Sequence, residues 1–149
     1  MDSYAIAGAI ATRFAAAAVT PPSGAEDVKV STADLPDDIS VFPTVLVFPP
    51  QMTDATYRGS KRNLTLVYPV VLFLSKADGT PRRAKALHDW VTALYVQMDG
   101  QFQLGLSSYV AEAWIENFNA GEYTYAGSNY DGIRWEVHVH INEGATFTA

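Results

Sequence analysis

The stretch from His138 to Ile141, "HVHI", has the spacing most suggestive of chemistry. Histidines two apart on a strand point to the same face. Glu136 shares that face, so the three could present ligands to one metal ion. His88 is the only other histidine. The same spacing has a plainer reading, because Trp135, Val137, Val139 and Ile141 alternate with Arg134, Glu136, His138 and His140. That is the period-two pattern of a strand with one buried face and one wet face. It makes His138 and His140 polar residues on the outside of a sheet, and the balance lies with this reading.

Other catalytic constellations fail on residue type. There is no cysteine, which removes thiolate catalysis, cysteine zinc sites and disulfides together and fits a reducing compartment. No G-x-S-x-G elbow is present. The stretch "RGSK", Arg58 to Lys61, has something of a phosphate loop, but it lacks the upstream glycine and a following helix. Asp37-Asp38 reads as solvated turn chemistry. No enzyme activity and no cofactor is expected.

The cations are more informative. Net charge is −6, yet seven of the ten Lys and Arg residues lie between Tyr57 and Lys85, where Asp78 is the only acid. That window carries about +6 and the remainder about −12, a separation that can orient the molecule against a complementary surface, a copy of itself included. Arg58, Lys61 and Arg62 fall on a predicted loop. Arg82 and Arg83 crowd the first turn of a predicted helix, where the dipole disfavours cations by roughly 0.3–1 kcal/mol each. Charges kept at that cost suggest contacts. Tyr57, Arg58, Lys61, Arg62, Arg82 and Arg83 are therefore the candidate interface residues, with Tyr57 as an aromatic anchor. The aromatics Trp114, Phe118, Tyr123, Tyr125, Tyr130 and Trp135 sit among acids rather than cations, so they read as sheet packing and not as a nucleic-acid platform.

The elements that must position these residues can be read from pattern and punctuation. At 48% apolar and 17% charged residues, 149 residues form one folded domain. The N-terminal apolar run carries Asp2 and is interrupted by Arg13, unlike a signal peptide, and no stretch has the length of a membrane span. A soluble protein made in the cytoplasm is expected. A helix is predicted from Asp2 to Val19, capped by Asp2 or Ser3 and facing the core through Ile6, Ile10 and Phe14. A short strand at Val28 to Ser31 and a proline-bracketed strand in "VFPTVLVFPP" follow. A long strand runs from Asn63 to Ser75, where Pro69 suggests an edge or a bulge. A helix capped at Thr80 and ended at Gly100 has a predicted stripe of Ala84, Leu87, Val91, Leu94, Tyr95 and Met98. Three strands are predicted at Tyr109 to Phe118, Glu122 to Ala126 and Gly132 to Ile141, with turns at Asn119-Ala-Gly and Ser128 to Gly132. The class is α+β: a mostly antiparallel, mixed sheet with two main helices packed on one face.

From Pro43 onward this order of parts resembles the tail-terminator or head–tail joining proteins of long-tailed bacteriophages. The likeness is carried by "FPTVLVFPP", the basic loop, "LSKADGTPRRAKALHDWV", the "GEYTYAGSNYDG" hairpin and the alternating strand "IRWEVHVHI". The resemblance implies a tail-terminator-like domain in a homo-oligomeric, six-fold ring. Such a ring caps the tail tube at the head–tail junction of the virion, stops tube polymerisation and offers a surface to the neck. Its partners would be the tail-tube protein and a neck or head-completion protein. DNA would be only passing cargo, and no membrane, metal or catalytic residue is implied. A neck connector is the alternative within this reading; a metal-dependent enzyme built on His138 and His140 is the alternative outside it.

Overall fold

The computed structural model describes residues 1–58, 61–77, 83–96, 104–106 and 109–144. Its spine is the long strand β4 (Lys61–Lys76), preceded by β1 (Val30–Thr32), β2 (Thr44–Val47) and β3 (Gln51–Arg58) and followed by β5 (Val110–Tyr125) and β6 (Ser128–Gly144). Leu64, Leu66, Tyr68, Val70 and Leu72 alternate along β4 and all enter one core, while Val71 and Phe73 are buried on the opposite face. The strand is thus covered on both sides over its C-terminal half, as its doubly apolar pattern predicts.

Among the described residues the strands form one mixed sheet in the order β1-β2-β4-β6-β5, with β3 also paired to β4. Only the β1–β2 pair is parallel. β2 takes the part of β4 from Val70 to Phe73 and β3 takes the part from Lys61 to Val67. The chain crosses between them at Phe48-Pro49-Pro50. Pro69 lies opposite this crossing, and its carbonyl accepts the Phe48 N–H at 2.8 Å. A strand residue's N–H and C=O point to the same side, so the donor that Pro69 lacks would have faced the break between β2 and β3. Pro69 is therefore neither on an edge strand nor in a bulge, because its pairing with Glu136 of β6 is regular.

Helices α1 (Ser3–Arg13) and α2 (Arg83–Tyr95) lie on the same face of the sheet. Ile6, Ile10 and Phe14 of the first, and Trp90 and Leu94 of the second, join Leu64, Tyr68, Trp135 and Val137 in one buried cluster. Asp2 caps α1 by accepting the Ala5 N–H at 3.0 Å. The Tyr68 phenol, buried beneath α1, donates to the Ser3 carbonyl at 3.0 Å; burial pushes its pKa up to about 12. The opposite face has a smaller core of Ile39, Leu46, Val71, Phe73 and Tyr130, closed by Phe42, Phe48, Tyr123 and Tyr125. This architecture is α+β, with both helices on one face as expected.

Four boundaries differ from expectation, each for a physical reason. α1 stops at Arg13 rather than Val19 although the following alanines favour helix. Continued helix would rotate Val19 about 140° from Phe14, whereas the turns through Ala15 and Ala18 bring it inward to 2% exposure. Gln51 to Arg58 form a strand rather than a loop, held by main-chain pairing while the described side chains along it stay exposed. Two long strands replace the predicted three. Their turn is Ala126-Gly127, at φ +50° and +80°, and Asn117 at φ +58° marks a bulge where a turn near Asn119 was expected. The stripe of α2 is Leu87, Trp90, Val91 and Leu94, with Ala84 and Tyr95 exposed. Thr80, Gly100 and Met98 lie outside the described residues.

Candidate functional site: a basic hairpin and an acidic edge

β3 and β4 make a hairpin whose last pairs are Tyr57 with Arg62 and Arg58 with Lys61. The pairing brings all four residues to the tip, on strands rather than in the expected loop. β4 then runs about 15 residues, roughly 50 Å, before the chain turns back toward α2. Ala86 and Leu87 border the same cavity as Leu74 and Ser75, which places the start of α2 at the far end of β4. The cation-rich window therefore splits into two groups. Arg58, Lys61 and Arg62 occupy one end of the sheet; Lys76, Arg83 and Lys85 occupy the other. Arg82 lies outside the described residues. The predicted interface is two surfaces, not one patch.

Arg62 is engaged inside the fold. Its guanidinium donates to Glu143, its direct cross-strand partner on β6. The Met1 ammonium reaches the other oxygen of the same carboxylate at 3.0 Å, and that carboxylate is 13% exposed. Arg62 first, then the ammonium, hold the Glu143 carboxyl below the usual carboxylate range against the opposing effect of burial. A carboxyl with a depressed folded pKa contributes stability above its unfolded value, near 4.5, and loses it as pH falls through the folded value. Glu143→Gln is accordingly expected to cost about 1 kcal/mol at pH 7, the upper range for a solvent-screened pair. The gap in Tm from the parent protein should shrink from pH 5 downward in thermal melts. An unchanged gap at pH 3 would remove this carboxylate from the acid response. Glu143 was not singled out by its sequence context; only the register between β4 and β6 brings it to the hairpin.

The outer face of β5 and β6 carries the histidines. His138 stacks on Trp114 at 5.6 Å, and its Nε2 lies 3.2 Å from Glu116 and 3.4 Å from Glu136. Glu116 and Glu136 face each other across the strand pair. The Asn117 amide is the largest influence holding the Glu136 carboxyl below its usual range, with His138 and Arg134 adding to it. His140 shares the face but pairs across to Thr65 and Glu112. No group of three or more His, Cys, Asp or Glu among the described residues is arranged to hold a metal ion. The cluster is a hydrogen-bonded polar face, and His138 and His140 do not converge on a common point with Glu136. The aromatics are divided between the two faces: Phe118 and Phe14 pack on Trp135, while Tyr125 and Tyr130 pack on Phe73. They do not form a continuous stacking surface.

Opposite the basic hairpin lies an acidic edge. β5 carries Glu112, Glu116 and Glu122 and no cation, and its outer side has no partner strand among the described residues. β3 forms the other open edge of that half of the sheet. No helix among the described residues is long and apolar enough to cross a membrane. No protein-family model matches the chain, and no curated protein matches it in sequence.

Proposed function

We propose that this protein is a structural assembly subunit of a long-tailed bacteriophage rather than an enzyme. Its copies form a ring, six-fold as the family resemblance implies, on the last layer of the tail tube. There the ring ends polymerisation and presents a surface to the neck. The observation that carries the reading is the opposite charge of two surfaces: a basic hairpin on one side of the sheet and, on the other, an acidic strand whose outer edge is open among the described residues. Rings of identical subunits use heterologous contacts, in which one patch meets a different patch. A protein acidic overall would also line a passage that DNA crosses without sticking, because like charges repel.

Electron microscopy of lysates from the parent phage with this gene disrupted tests the proposal. Overlong or headless tails, restored to normal by adding the protein, are the expected result. Normal-length tails beside unjoined full heads would move the protein to the head side of the neck. Intact infectious particles would overturn the structural reading altogether.

A further inference from the structure

We infer that copies of this chain join edge to edge, with β3 of one subunit lying antiparallel against β5 of the next; the inference rests on the ring reading above. Four observations lead to it. From Leu64 to Val67 along β4 the sheet is four strands wide, β3-β4-β6-β5, and its two lateral edges are both open among the described residues. Each strand in that region is antiparallel to its neighbour. β3 and β5 therefore run in opposite directions. A rotation about an axis along the strands sets β3 of one copy antiparallel to β5 of the next, continuing the alternation. An isologous contact, β3 on β3, would instead close a two-fold dimer and leave β5 of both copies uncovered.

The levels of the two edges agree: Thr53 pairs with Thr65, Thr65 with His140, and His140 with Glu112, so Thr53 and Glu112 end one row across the sheet. The basic tip, level with Glu143 and Gly144, projects past the first β5 pair, Val110 with Ile141, and stays free for another acidic surface. Next to this row both edges are bulged, between Thr53 and Thr56 on β3 and between Val110 and Glu112 on β5. The two edges therefore bend at the same height.

The helix face supplies an apolar component. Met52 pairs with core-facing Leu66 but is 57% exposed; among the described residues α1 packs mainly on β1 and β2, and α2 on β5 and β6. α2 packs over β5 and β6 and leaves Tyr95 and Val96 at 64% and 65% exposed on the same side of the sheet. Apposing the edges brings the Met52 side of one copy under the α2 side of the next.

Disulfide trapping tests this directly because the chain has no cysteine of its own. Thr53→Cys or Thr56→Cys is combined with Glu112→Cys. Each double variant is oxidised both as purified protein at about 1 mM and on tails isolated from cells producing it. Paired strands place directly opposite, same-face residues within disulfide reach. A ladder of dimers, trimers and larger species from at least one double variant is expected, with none from Met52→Cys with Glu112→Cys, whose positions face opposite sides. Dimers from Thr53→Cys alone would overturn the heterologous contact in favour of an isologous one. Tails that contain the protein but yield no ladder, with none from the purified protein either, would overturn the edge contact and leave the ring intact. Protein missing from the tails in every variant, and in the parent chain, would overturn the ring reading instead.

Discussion

Gly132→Ala is expected to destabilise the fold by about 3 kcal/mol, at the top of the usual range for overpacking. That should lower Tm by roughly 10 °C in a domain of this size. A Cβ at this position would lie 2.4 Å from the Leu72 carbonyl oxygen and 3.5 Å from the Phe73 Cα. Both neighbours are backbone, so no side chain can swing away to make room. The crowding arises where Gly132 pairs with Phe73, immediately before the register slips between Phe73 and Ser75. The bulge pushes the β4 main chain toward β6, and only a residue without a side chain accepts it. Gly121 on β5 pairs with Gly132 yet has nothing within 4 Å of an added Cβ. Gly121→Ala is the control. It should cost little, and thermal melts of the two variants side by side separate the close approach from a general penalty on strand glycines. Equal losses from both would refute the crowding argument.

The same contrast explains what the sequence disclosed and what it hid. Burial on one face writes a period into a strand. Leu64, Leu66, Tyr68, Val70 and Leu72, and likewise Trp135, Val137, Val139 and Ile141, therefore announced β4 and β6 correctly. β3 is held by main-chain pairing with its described side chains in solvent, so Gln51 to Arg58 write no period and read as loop. Gly132 and Asn119 looked like turn residues because glycine and asparagine serve turns, bulges and close approaches alike. Trp90 was missed in α2 and Tyr95 wrongly included, although both lie near the edge of the apolar stripe. Which of them is covered depends on where the sheet ends beneath the helix. The candidate interface was legible as composition but not as geometry. Nothing in a linear window reveals that β4 separates its cations by its own length, or that Glu143 returns to the hairpin to bind Arg62.

Reversing Arg58 and Lys61 together to glutamate is expected to leave a folded subunit that no longer assembles. The two residues pair with each other across the hairpin. The parent chain therefore already tolerates like charges directly opposite, a cost within about 1 kcal/mol. Exchanging two cations for two anions keeps that repulsion and changes only its sign, so circular dichroism and Tm should stay close to the parent values. What changes is the field at the tip: four units of charge are removed from the side that meets an acidic neighbour, and attraction there becomes repulsion. Incorporation into particles should be lost, with overlong or headless tails in complementation tests. Arg62→Glu must behave differently, because Arg62 is bound to Glu143 within the fold, and its reversal should lower Tm before assembly is ever at issue. Wild-type incorporation by the reversed hairpin alone would remove the tip from the interface. Loss of incorporation with the fold intact would set the tip against an acidic surface beyond the end of β5, on the tail tube or on the neck.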